Sequence, residues 1–204
     1  MSMIPDHHPI TIGGVETRLP LVALNEAVAI ALLMVIDQGL AFGARAGSAL
    51  ADIARPLSPN IVVGAATLGI PVAMDVSRAL GLDDYVILQK SPKIHLGDAL
   101  KESVKSVTSH GVQTLMLDRR SVPLLDGRRV FVVDDVASTG SSLAAMLRLL
   151  RRAGAEIVGI GVILTEGHDW KSVLGADAGL VQGLAHIPVF RIENGTAVPI
   201  PETL

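Results

Sequence analysis

Val130-Phe131-Val132-Val133-Asp134-Asp135-Val136-Ala137-Ser138-Thr139-Gly140-Ser141-Ser142-Leu143 is the stretch whose reading decides the fold. Its apolar residues Val130 to Val133 predict a buried strand, with the carboxylates of Asp134 and Asp135 at its end. Ala137 to Ser142 is a turn of small residues. After it Leu143, Met146, Leu147 and Leu150 recur at i, i+3, i+4 and i+7, the spacing of an amphipathic helix. A turn that opens a helix leaves backbone N–H groups unpaired, and together with the positive dipole end they make an anion site. Small side chains let a phosphate approach the backbone, and hydroxyls add donors. Two carboxylates at a strand end can accept hydrogen bonds from a sugar diol or lie near a magnesium ion. The combination suits a ligand with a phosphate at one end and a ribose beside it. The stretch is neither a Walker loop, because no Gly-Lys-Ser/Thr follows, nor a G-x-G-x-x-G dinucleotide turn.

Upstream, Asn60 to Val63, the small-residue turn Gly64 to Gly69, a helix from about Pro71 to Gly81 and Tyr85 to Leu88 form a βαβ pattern. Such units build parallel sheets, with ligands at the carboxyl ends of the strands. Both turns, 64–69 and 136–142, stand at such ends. Downstream, Glu156 to Leu164 is another strand followed by Thr165 to Trp170, and residues 179–192 give one or two closing strands. Residues 10–36 read as extended, with Ala27 to Ile36 a buried strand or helix. Residues 40–55 read as a helix stopped before Pro56, 94–117 as a hairpin, and 118–129 as a polar connection with an Asp126-Gly127 turn.

The chain has 204 residues, half of them apolar, a formal charge of −3 and no cysteine. That is enough for one domain, 1–204, with its own core. It excludes a disulfide framework and a thiol nucleophile, and argues against nucleic acid held by bulk charge. No apolar run is long enough for a membrane span, and the start lacks a basic region followed by an apolar one. The expected setting is the cytoplasm. His7 and His8, adjacent near the terminus, read as solvated rather than as a metal site.

The opening stretch resembles the signature by which type I phosphoribosyltransferases (PRTases) bind 5-phosphoribosyl-1-pyrophosphate (PRPP): apolar strand, two acidic residues, two variable ones, then a Ser/Thr/Gly-rich loop. The resemblance runs over about residues 60–170 and points to the adenine and xanthine branches. It implies an α/β fold, with a central mostly parallel sheet flanked by helices, a small hood subdomain and a mobile ribbon loop. The region 10–36 and the C-terminal strands would contribute to the hood. It implies transfer of the phosphoribosyl group from PRPP to a nucleobase, a purine with adenine favoured, releasing pyrophosphate and a nucleotide. It further implies Mg²⁺, a homodimer, and neither nucleic acid nor membrane as partner.

Carried over residue by residue, Ala137, Ser138, Thr139, Gly140, Ser141 and Ser142 would hold the 5′-phosphate. Thr67, Leu68, Gly69, Lys90 and Lys93 would hold pyrophosphate. Asp134 and Asp135 would take the ribose hydroxyls and the metal through PRPP. Val136, Asn25, Glu166 and Trp170 would meet the base, Glu166 as an acceptor suited to an amino group and Trp170 by stacking. His110 would act as acid or base. The chain departs from the family pattern in several places. Ala66 and Leu68 stand where adenine enzymes carry the Glu and Arg of Glu-Ala-Arg-Gly, Gln89 replaces an arginine, and Ser109 replaces a hood glutamate. Those departures leave open a second class, a PRPP-sensing regulator without catalysis, and a third, another nucleotide or sugar-phosphate binder of the same fold.

Overall fold

A computed structural model describes residues 2–92, 94–104 and 113–204. Along the chain run β1 (Ser2–Ile12), β2 (Val15–Ala23), β3 (Val28–Ala31), α1 (Leu40–Ala54), β4 (Ile61–Ala65), α2 (Gly69–Leu80), β5 (Tyr85–Leu88), β6 (Leu100–Val104), β7 (Gln113–Leu117), α3 (Val122–Leu125), β8 (Arg129–Ala137), α4 (Ser141–Arg152), β9 (Glu156–Glu166), α5 (Asp169–Leu174), β10 (Val181–Ile187), β11 (Phe190–Glu193) and β12 (Thr196–Pro199).

The centre is a parallel sheet in the order β10-β9-β8-β4-β5. The chain builds it outward in both directions, so the order reverses between β4 and β8. Alternation along the strands divides the core. Val130 and Val132 of β8, with Ile61 and Val63 of β4, pack on the side of α4 and α5. Phe131 and Val133, with Val62, pack on the side of α1 and α2. This period of two on a strand buried on both faces explains its continuous apolar composition.

A second sheet, antiparallel and ordered β1-β2-β3-β11-β12, joins the two ends of the chain through the pairing of β3 with β11. β6 and β7 form a separate two-stranded ribbon. Arg148 and Arg152, one turn apart on α4, both reach Glu102 of β6, at 2.8 and 3.1 Å, and pin the ribbon to the helix.

Several expectations shift. Within 27–36 only Val28–Ala31 is strand; residues 35–38 make a 3-10 turn, because the chain must leave the sheet to start α1 after Gly39. β8 and β9 run past their apolar cores, to Ala137 and Glu166. The parallel ladder continues through Asp134↔Val162, Val136↔Leu164 and Ala137↔Thr165, using backbone groups whatever the side chains. The acidic pair therefore lies within the strand, not beyond it. Helical turns and the buried Leu125 occupy the 118–129 connection. β12 was missing from the sequence reading, although Asn194-Gly195 is a two-residue hairpin signal; both residues have positive φ, 52° and 79°.

α1 and α2 cross closely at glycines of α1. A Cβ on Gly47 would stand 2.5 Å from the Asp75 Cβ and 2.8 Å from its carbonyl carbon. Gly47→Ala is expected to lower unfolding stability in urea by about 1–3 kcal/mol through forced separation of the helices. Gly179→Ala, with nothing within 4 Å of the added carbon, should stay within about 0.5 kcal/mol.

Candidate functional site

The crevice lies where the strand order reverses, at the carboxyl ends of β4 and β8, the place where open parallel sheets accept ligands. Two helices begin there side by side. No side chain caps α2 at Leu68 or α4 at Gly140. In the first turn of α2 the Ile70 N–H donates to the Thr67 carbonyl at 3.2 Å and Pro71 has no N–H, which leaves Gly69; in α4 the Ser141 N–H meets Thr139 Oγ1 at 3.4 Å, which leaves Ser142 and Leu143 for a ligand. Gly140 adopts φ +75°, and a Cβ on it would lie 2.9 Å from the Trp170 Cα; only glycine fits both demands. In the first turn the chain comes equally close. Gly64 faces the Gly69 carbonyl, and a Cβ on Gly69 would stand 3.2 Å from Asp134 Oδ1. A cis peptide joins Ala66 and Thr67 in that turn.

A cavity of about 160 Å³ opens at the end of β8 and the start of α4, lined by Lys90, Asp134, Asp135 and residues 136–140, with Ser142 and Leu143. It thus gathers Lys90, both carboxylates, Val136 and most of the 137–142 loop. Ser141 faces elsewhere, toward a cavity of about 350 Å³ shared with Glu102, Ser103 and Arg148. Thr139 Oγ1 lies 3.2 Å from Ser141 Oγ and 3.4 Å from the Ser141 N–H, closing a local hydroxyl turn.

Asp134 is 6 % exposed. Burial, then the charge of Asp135 beside it, pushes its carboxyl well above the usual carboxylate range, and Lys90 opposes the shift. Its Oδ1 accepts the Asp135 N–H at 3.1 Å. Asp135 is half-buried and lines the cavity. Among the described residues no three or more His, Cys, Asp or Glu side chains come together as a metal site. Two carboxylates at the cleft still match the way Mg²⁺ binds, through one or two protein carboxylates plus phosphate oxygens of a ligand.

Other residues lie apart from that cavity. Glu166 is the last residue of β9, 7 % exposed, and its Oε2 accepts the Ser138 hydroxyl at 2.5 Å. Burial raises its pKa, and the bond from Ser138 pulls it back. Glu166 is therefore placed behind the loop rather than toward a base, because β9 extends further than its apolar run. Trp170 is 6 % exposed, belongs to the core under α4, and donates its indole N–H to the Gly167 carbonyl at 3.1 Å. Its ring is packed, not open for stacking. Asn25 caps the β2–β3 turn, its Oδ1 accepting the N–H groups of Ala27 and Val28 at 2.8 and 2.9 Å. Thr67 is exposed, Leu68 half-buried and Gly69 buried. Lys93, Ser109 and His110 lie outside the described residues.

His8 packs edge-on against Phe190 at 5.3 Å, and burial lowers its pKa. The sequence reading missed Glu102 as the anchor of the ribbon; the signal was the i, i+4 pair Arg148 and Arg152 on one helix face.

The shift at Asp134 has a sign. A carboxyl with a raised pKa is destabilising above its unfolded pKa, and the penalty grows with pH until the folded pKa is passed. Asp134→Asn keeps the Oδ1 acceptor and removes the charge. The variant should melt above the parent at pH 8, with the difference closing toward pH 4; differential scanning calorimetry in EDTA measures both limbs.

Comparison with known proteins gives the same region. A family model described as "Phosphoribosyl transferase domain" matches residues 35–186. The chain is 34 % identical over 117 residues to an adenine phosphoribosyltransferase from Oenococcus oeni, covering 56 % of this chain and 62 % of that protein. It is 30 % identical to a xanthine phosphoribosyltransferase from Deinococcus deserti, covering 74 % and 78 %. It is also 30 % identical to a purine biosynthesis transcriptional repressor from Bacillus subtilis, covering 63 % and 45 %. The chain thus spans less than two thirds of the Oenococcus and Bacillus relatives. Among solved structures, adenine phosphoribosyltransferase from Saccharomyces cerevisiae, complexed with an imino-altritol bisphosphate and adenine, superposes with a TM-score of 0.67 at 18 % identity, over 87 % of this chain and 93 % of that one.

Proposed function

The chain belongs to the phosphoribosyltransferase family and has the type I fold, and from that premise we propose that it transfers the phosphoribosyl group of PRPP to a purine, adenine first, releasing pyrophosphate. The observation that carries the proposal is the cavity bounded by Asp134 and Asp135 on one side and the uncapped 137–142 turn on the other. Adenine is supported by the Oenococcus relative; the Deinococcus relative keeps xanthine in the test. Glu166, held by Ser138, no longer supports an amino purine.

In the reaction the bond from ribose C1′ to the pyrophosphate oxygen breaks, its electron pair leaves with pyrophosphate, and a ring nitrogen of the base bonds to C1′ and gives its proton to the departing pyrophosphate or to water. The 137–142 loop fixes the 5′-phosphate and with it the position of C1′. Asp135 accepts a ribose hydroxyl. Asp134, its protonated form favoured by burial, can donate as well as accept. The Gly69 N–H at the start of α2 receives pyrophosphate without help from Ala66 or Leu68, and Lys90 offsets the charge that develops there. Asp134 and Asp135 are the residues that would hold Mg²⁺ through PRPP, and the ion would supply further neutralisation of the leaving group. The homodimer implied by the resemblance and the cytoplasmic setting expected from the sequence belong to this proposal.

A second reading is a PRPP-responsive regulator that does not turn over. The Bacillus repressor match and the apolar Ala66 and Leu68 favour it. Pyrophosphate release from PRPP across a panel of free bases separates the two. Release with adenine above hypoxanthine, guanine and xanthine is expected; saturable PRPP binding with no release for any base would establish the regulator.

Thr139→Asp puts a charge into the phosphate site. It should weaken PRPP binding by roughly 100-fold or more, because a repelled, desolvated charge costs several kcal/mol. Calorimetry on the folded variant measures this.

A further inference from the structure

We infer that Glu166 is a positioning residue of the phosphate loop: its carboxylate holds Ser138 from behind and fixes the path along which residues 138–142 present their N–H groups. The inference rests on the proposed function for its consequence, since the loop matters most when a phosphate is bound there.

Three observations carry it. The Ser138 hydroxyl donates to Glu166 Oε2 at 2.5 Å, across 28 residues of sequence, so its proton points into the protein. Ser138 therefore offers the cleft oxygen lone pairs rather than a donor, and its side chain works as a tether, not as a phosphate ligand. Second, the turn that follows Glu166 holds the same loop at another point. Gly140 lies against the backbone of Trp170, so closely that a Cβ would stand 3.0 Å from the Trp170 carbonyl oxygen. The indole of Trp170 ties the turn to itself through Gly167. Residues 138 and 140 are thus both fixed by residues 166–170. Third, a carboxylate 7 % exposed at the end of a core strand is an expensive choice. An apolar side chain would fill the same place without desolvating a charge. A negative group behind an anion loop also opposes anion binding at long range. Both costs make sense when the hydrogen bond itself sets the loop's shape, which an apolar residue cannot do.

The test is amide hydrogen exchange of the ligand-free full chain, read at 138–142 with the β4 amides as internal reference, alongside steady-state kinetics with PRPP. E166L and S138A should each speed exchange in the loop by about tenfold or more, the effect of losing one hydrogen bond to a charged group. The double variant should be no faster than either single one, and E166Q, whose side-chain carbonyl can still accept from Ser138, should recover most of the protection. KM for PRPP should rise in E166L and S138A with kcat largely kept. Unchanged loop exchange in S138A and E166L, or acceleration equal in the loop and β4, would overturn the inference. A parent protein that binds no PRPP, with the exchange pattern as expected, would instead remove the proposed function and leave the tether standing.

Discussion

Two helix starts without side-chain caps, set side by side at the reversal of strand order, are the constraint on which the rest of this structure depends. Unpaired N–H groups at a helix start are unfavourable when buried and useful when an anion can reach them. Here Leu68 and Gly140 occupy the cap positions, and neither supplies a side-chain acceptor. The sheet brings the two starts together because β4 and β8 are neighbours, although the paired Ile61 and Val130 stand 69 positions apart in the chain. Close packing then demands glycine: Gly64 against the Gly69 carbonyl, and Gly140 against Trp170.

The electrostatics of the site work against stability in ways a binding site explains. Asp134 is buried beside another carboxylate and keeps its proton above the usual range. Glu166 is buried behind the loop with its pKa raised by the same cause. Neither choice is what a core optimised for folding would make. Ion pairs elsewhere, such as Arg151 with Asp177, are partly exposed and hold helix to turn with modest effect. The ribbon's anchor is of that kind too: Glu102 joins two arginines of α4 and has its pKa lowered by them, Arg148 first.

Much of this was legible in the sequence, for reasons that particular residues make plain. The continuous apolar run Val130 to Val133 and the helical spacing from Leu143 to Leu150 report local structure directly, and the acidic pair before a small-residue turn reports the chemistry. Strand ends were not legible, because Val136↔Leu164 and Ala137↔Thr165 pair through backbone groups that side-chain character does not reveal. The places of Glu166 and Trp170 were misread for a related cause. Each depends on a contact with the 138–140 loop, far off in sequence, and a buried carboxylate and an exposed one look alike in a string of letters. Asn25 likewise turned out to cap its own turn. The Asn194-Gly195 hairpin is legible from its two-residue turn, in which both residues take positive φ.

The central claim is that both helix starts receive one phosphorylated ribose ligand. An amide NMR titration of the full chain with PRPP in Mg²⁺ tests it most directly. The account predicts saturable shifts concentrated in two separate stretches, the 67–70 turn and the 138–143 loop, with one affinity common to both. Shifts in only one of them, or in neither, would contradict it.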